Sequence, residues 1–178
     1  MIGDLVTWEK VKAVLNLDDD RQEIAEFLIS AASAQAEKIA GRILAARDVD
    51  IQLDSNGGRE FLLPSYPVNK TDEIFVNGEE TQGYKIKTDV GILRLTGSAA
   101  AGWDAIHYKG NIGYATVPVD LQQAVIEIVS ANLRRFASSG GTVGIKSMTA
   151  NGAITTQYEL DIPMSSRSVF MSYRGARV

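Results

Sequence analysis

The sequence predicts an α+β protein: a small helical bundle of three main helices, an antiparallel β-rich insertion at about 47–114, and a C-terminal arm. Three observations carry that expectation. Apolar residues recur at helical spacing up to residue 40 and again over 119–137, the period drops to two between Asp48 and Tyr114, and Ser138-Ser139-Gly140-Gly141 marks a change of character. A chain of 178 residues, 45% apolar and 22% charged, suffices for one sizeable core. The expected organisation is a body over 1–137 and an arm over 138–178.

Taken in order, Thr7 reads as an N-cap opening a helix near 8–15 through Val11, Val14 and Leu15. Asn16 to Asp20 is a turn, and Asp20 with Glu23 fits a D-x-x-E start for a second helix near 21–40. Ile24, Phe27, Leu28, Ala31, Gln35 and Ile39 fall near helical spacing there, and Gly41 is placed to end it. Six strands are expected next: Ile51-Leu53, Phe61-Leu63, Ile74-Val76, Tyr84-Ile86, Ile92-Leu95 and Ala105-Tyr108. Turn signals at Asn56-Gly57-Gly58, Asn77-Gly78 and Asp89-Val90-Gly91 make the sheet antiparallel.

Pro118 and Asp120 suit the first turn of a third helix near 119–137. It bears two adjoining apolar stripes, Leu121, Val125 and Ile128, and Ile126, Val129, Leu133 and Phe136. Its polar residues, Gln123, Glu127, Ser130 and Arg134, form one narrow strip. So wide an apolar face exceeds what one core needs, which implies cover on more than one side, by the chain's own sheet and, as a further option, by a neighbouring subunit. Beyond it, Val143-Ile145 and Ile154-Tyr158 flank Asn151-Gly152 as a potential hairpin, and Val169, Phe170 and Tyr173 follow Pro163. The arm is expected to be mobile in the free protein, the competing expectation being that this hairpin and a short helix fold back onto the body.

Composition closes several function classes. With no Cys and one His, His107, there is no thiolate chemistry and no Cys- or His-based metal cluster, so neither cofactor nor metal is expected. The start, Met1-Ile2-Gly3-Asp4, lacks signal-peptide features, and no run is apolar enough to span a membrane, so an intracellular, membrane-free product is expected. The net charge of −4 is unevenly spread: residues 1–133 carry 12 Lys/Arg against 20 Asp/Glu, and 134–178 carry 6 against 2. An acidic body is poorly suited to gripping phosphates.

Candidate sites weigh out modestly. Asp18-Asp19-Asp20 lacks the Gly and closing Glu of a calcium loop and reads better as a helix-capping turn. His107 lies in a strand without a nucleophile or paired carboxylate motif. Asp48, Asp50 and Asp54 would serve a carboxylate-dependent hydrolase only if they met partners across the sheet; a charged solvent face explains them more simply. No catalytic residue is assigned, and the chain is not expected to be an enzyme.

The order of pieces resembles the head-tail connector, or adaptor, proteins of long-tailed double-stranded DNA bacteriophages. The resemblance covers roughly residues 4–137, from DLVTWEKVKAVLNLDDD through GYATVPVDLQQAVIEIVSANLRRF, and its strongest pieces are Gly41-Arg42, Tyr66-Pro67-Val68 and Gly113-Tyr114 to Leu121-Ala124. It implies a virion subunit, made in the host cytoplasm, that joins a ring, commonly dodecameric, beneath the portal. Such a ring extends the DNA channel without sequence-specific binding and docks a stopper or tail-completion protein. On that basis Leu121, Val125, Ile128, Val129, Ala131 and Leu133 are candidate subunit-interface residues. Arg167, Phe170, Tyr173, Arg174 and Arg177 are candidate portal-docking residues. A small capsid or tail accessory module is the alternative. The strand insertion and the tail after Ser138 are longer than in shorter members.

Overall fold

A computed structural model describes residues 3–138 and 162–175, and they form four α-helices and two antiparallel sheets, an α+β protein as expected. The chain divides into two units, one comprising Met1–Ala40 with Val117–Tyr173, the other Gly41–Thr116 with Arg174–Val178. The chain passes from one unit to the other at 40/41, 116/117 and 173/174.

The helical unit holds α1 (Trp8–Leu15), α2 (Gln22–Ala40), α3 (Val119–Ser138) and α4 (Met164–Ser172). Thr7 caps α1 as predicted, its Oγ1 accepting from the Lys10 amide at 3.4 Å. Asp20 does not cap α2. A 3₁₀ turn, Asp19–Arg21, runs directly into that helix, and Asp19 instead pairs with Lys12. Gly41, at φ +66°, ends α2 in the left-handed conformation its lack of a Cβ permits.

Small residues make α2 the hub. Ala25, Ala32, Ser33, Ala36 and Ala40 are buried on it, letting α1, α3 and α4 approach its backbone closely. The segment before α1 is pinned to it twice: the Leu5 amide donates to Ser33 Oγ at 3.0 Å, and Ser30 Oγ donates to Asp4 Oδ1 at 2.9 Å. The cover that the wide apolar face of α3 demands comes from α2 and α4. In particular, α4 inserts a fully buried Phe170. Two hydroxyls on α4, of Ser165 and Ser166, donate to Glu127 at 3.1 and 2.9 Å, and Tyr173 donates its phenol to Asp120 at 2.8 Å. Residues 162–173 therefore fold back onto the body. The predicted hairpin around Asn151-Gly152, and Arg177, lie outside the described residues.

The β unit holds two sheets where the sequence suggested one. The first has the order β1 (Arg47–Ser55), β7 (Gly102–Ile112), β3 (Val68–Val76), β4 (Glu79–Glu80), and the second β2 (Glu60–Leu62), β6 (Ile92–Leu95), β5 (Tyr84–Lys87). All six predicted strands are present, several longer than foreseen. Asn77 and Gly78, at φ +52° and +86°, turn β3 into β4 as a tight hairpin. The sheets share one core built around Leu63, Ile74, Leu93, Ile106, Tyr108 and Ile112. Buried Tyr108 donates to the Lys70 carbonyl at 3.1 Å.

Candidate functional site

Within the β unit, the structure gathers three sequence pieces far apart along the chain. Arg42 follows the glycine that ends α2, Tyr66-Pro67 leads into β3 through a cis peptide bond, and Gly113-Tyr114 leaves β7. The buried guanidinium of Arg42 donates to the Tyr66 carbonyl at 2.6 Å and to Tyr114 Oη at 3.0 Å. It also lies 4.0 Å from the centre of the Tyr66 ring, where the electron-rich face attracts a cation.

The backbone closes the same knot. Gly113 N donates to Pro67 O at 2.9 Å, Tyr114 N to Leu44 O at 2.8 Å, and Ser65 Oγ to Ile43 O at 2.6 Å. A buried charge with satisfied donors around it holds three chain crossings in one geometry. It offers no reacting group, so it is a clasp at the root of the insertion.

The carboxylates that a hydrolase would need are committed elsewhere. Along β1, Asp48 accepts from Asn111 Nδ2 at 2.8 Å, Asp50 bonds the ring nitrogen of His107, and Asp54 accepts from the Asp104 amide at 3.0 Å. His107 also stacks on Phe75, centroid to centroid 5.7 Å. Neighbouring cations are paired too. Glu73 beside Lys109 and Asp72 beside Lys70 hold both ammonium groups above the ordinary lysine range, mainly through hydrogen bonds. Among the described residues, no group of three or more His, Asp and Glu side chains is placed to hold a metal ion.

The helical unit carries a surface of another kind. A groove of about 680 Å³ runs between α1 and α3, lined by Lys10, Val14 and Leu15 on one side and by Gln122, Gln123, Ile126, Glu127, Ser130, Ala131 and Arg134 on the other, with Val119 and Pro163 at its margins. Val14 is 59% exposed and Val119 72%, although both are apolar. The narrow polar strip recognised on the third helix, Gln123, Glu127, Ser130 and Arg134, is one wall of this groove.

Of the residues expected at a subunit interface, Leu121, Val125, Ile128, Val129 and Leu133 are buried inside the helical unit and have no surface to offer a second chain. Their physical role is the unit's own core. Ala131 alone of the six is partly exposed, and it lines the groove. Of the residues expected to dock a portal, Phe170 is buried, Tyr173 is half-buried against Asp120, and Arg167 and Arg174 are exposed. Sequence reasoning missed Lys10, Val14 and Leu15 as groove residues. The available signal was α1 itself, a helix of eight residues with apolar side chains at Trp8, Val11, Val14 and Leu15, more than one face can bury.

The model of the Head completion protein family matches residues 4–176. No curated protein matches the chain. Among solved structures, the fold is similar to a chain in the neck of an empty gene transfer agent (GTA) particle computed with C6 symmetry: TM-score 0.58, 19% identity, 88% of this chain and 80% of that one. A chain in the neck of a native GTA particle computed with C12 symmetry gives 0.58 at 16% identity, over 100% of this chain and 97% of that one. A chain in the virion of the native particle gives 0.52 at 17% identity, over 88% and 79%.

Proposed function

Since the chain belongs to the head completion protein family, its match running through both units from residue 4 to residue 176, we propose that it is a structural virion subunit that forms a ring at the head-tail junction. The extent of that match is the observation that carries the reading. The ring sits beneath the portal, extends the DNA channel and receives a stopper or tail-completion protein. Twelve copies is the number we favour, supported by the fold likeness to a neck chain computed with C12 symmetry. The division of labour within the chain supports the same reading, because the β unit engages Asp48 and Asp50 with Asn111 and His107 while the helical unit leaves a groove with apolar lining open.

Arg167 and Arg174, exposed on and after α4, are the docking contacts we propose for an acidic surface on the portal. The acidic balance of residues 1–133 suits a lumen through which DNA slides without being held. The experiment is electron microscopy of heads prepared without this protein, before and after its addition. A ring is expected at the portal vertex, followed by competence to join tails. Heads that join tails equally well without the protein would overturn the reading.

A further inference from the structure

The groove between α1 and α3 has a counterpart on the same unit. Along α2, Phe27 is 67% exposed, and Ile24 and Ala31, three residues before it and four after, are partly exposed on the same stripe. Glu23 and Glu26 stand exposed beside Phe27. The groove carries the opposite charge at its rim, with Lys10 on α1 and Arg134 on α3, while its one acid, Glu127, is already held by the hydroxyls of Ser165 and Ser166. A trough between two helices accepts the ridge of a third, anchored by apolar side chains at i, i+3 and i+7.

We propose that the α2 ridge centred on Phe27 of one copy seats in the α1–α3 groove of a second copy, with Glu23 and Glu26 facing Lys10 and Arg134. This rests on the ring proposed above and specifies its self-contact. Ridge and groove share no residue, so the contact is heterologous: each copy uses its ridge on one neighbour and its groove on the other. A contact of that type propagates and closes into a ring when the rotation per copy permits. Burying Val14, Val119 and Phe27 in one step would remove the largest exposed apolar side chains of α1, α2 and the start of α3 from water.

The sequence contains no cysteine, which makes the test specific. Phe27→Cys and Ala131→Cys are made separately and together in the full chain, with folding checked by circular dichroism, and assembled on heads before mild oxidation. Mixed single variants should give a disulfide-linked dimer that neither variant gives alone, and the double variant should give a ladder of higher multimers. Phe27→Glu should lower ring occupancy on heads at least tenfold.

Rings seen by microscopy that form no Phe27→Cys to Ala131→Cys link, or that tolerate Phe27→Glu, would overturn this contact while leaving the ring reading intact. Failure to find the chain in any ring would overturn both. Trp103, 87% exposed at the start of β7, is the rival ridge. A link between Trp103→Cys and Ala131→Cys in place of the Phe27 link would assign the groove to it and refute the proposal.

Discussion

Along β1 and β7, the β unit sets Asp48 against Asn111, Asp50 against His107 and Asp54 against the Asp104 amide, and it closes its root with Arg42 clasped between Tyr66 and Tyr114. The helical unit is as well filled inside, with Leu121, Val125, Ile128 and Phe170 fully buried, yet it leaves Val14, Phe27 and Val119 in water. Both units therefore satisfy their interiors, and outside they differ in degree: the β unit leaves one large apolar side chain, Trp103, in water, whereas the helical unit leaves Val14, Phe27, Val119, Met164 and Met171. Paired polar groups resist association, because each would have to be desolvated again, whereas apolar surface favours it. On the ring reading proposed above, the greater apolar exposure of the helical unit makes its surface the better suited to self-association.

The largest expected effect comes from breaking the root of the β unit. Gly113 adopts φ +107°, and a Cβ there would stand 2.7 Å from the Ala45 carbonyl oxygen. Gly113→Val combines a strained backbone with a clash against main chain that cannot yield cheaply, and should cost about 3–5 kcal/mol. Urea unfolding checks this. A value within about 1 kcal/mol of the parent would mean that the clasp adapts, and the β unit would be looser than its hydrogen bonds suggest.

Next in size is a test of the helical unit's two kinds of residue. Phe170→Ala empties a fully buried seat between α4 and its neighbours and should cost about 3–4 kcal/mol. Arg167→Ala, exposed on the same helix, should leave stability within about 0.5 kcal/mol and weaken attachment to heads. Thermal melts and head-binding assays separate the two. Equal melting temperatures would show α4 to be only an appendage, as the arm expectation held.

The sequence made the fold legible wherever a local rule decided it. Thr7 capped its helix, Gly41 ended the second one, Asn77-Gly78 turned a hairpin, and period-two alternation marked all six predicted strands. What it concealed depended on distance. Nothing local in Arg42, Tyr66 or Tyr114 announces a cluster, although all three belong to the motif pieces that carried the family resemblance. The apolar breadth of α3 reads as a need for cover by the sheet and a neighbouring subunit, and the cover the structure shows is that of α2 and α4. Which chain supplies that cover was not legible, because burial by α4 and burial by a neighbour demand the same residues. That ambiguity placed Leu121, Val125, Ile128, Val129 and Leu133 among the interface candidates and concealed Val14 on the short first helix.

The smallest expected effect sharpens the comparison inside the β core, where a polar group is buried without joining the charged clasp. Tyr108 is fully buried, and its phenol donates to the Lys70 carbonyl at 3.1 Å and lies 3.4 Å from Thr71 Oγ1. Burial holds its pKa above the ordinary 10.0, against a smaller lowering from Thr71. A folded-state pKa above the unfolded value gives stability that is complete below pH 10.0 and lost as pH rises through the folded value, because the unfolded chain then releases a proton the folded one keeps. Tyr108→Phe should cost about 1 kcal/mol at neutral pH through the lost hydrogen bond, and the gap should narrow above pH 10.0, where the parent alone bears the phenol's penalty. The raised ammonium groups of Lys70 and Lys109 titrate in both proteins and cancel in the difference. Urea unfolding of both proteins from pH 7 to 11 reads the gap directly. A gap that stays constant across that range would mean that Tyr108 ionises as freely folded as unfolded, and that water reaches a core the sheets are expected to keep dry.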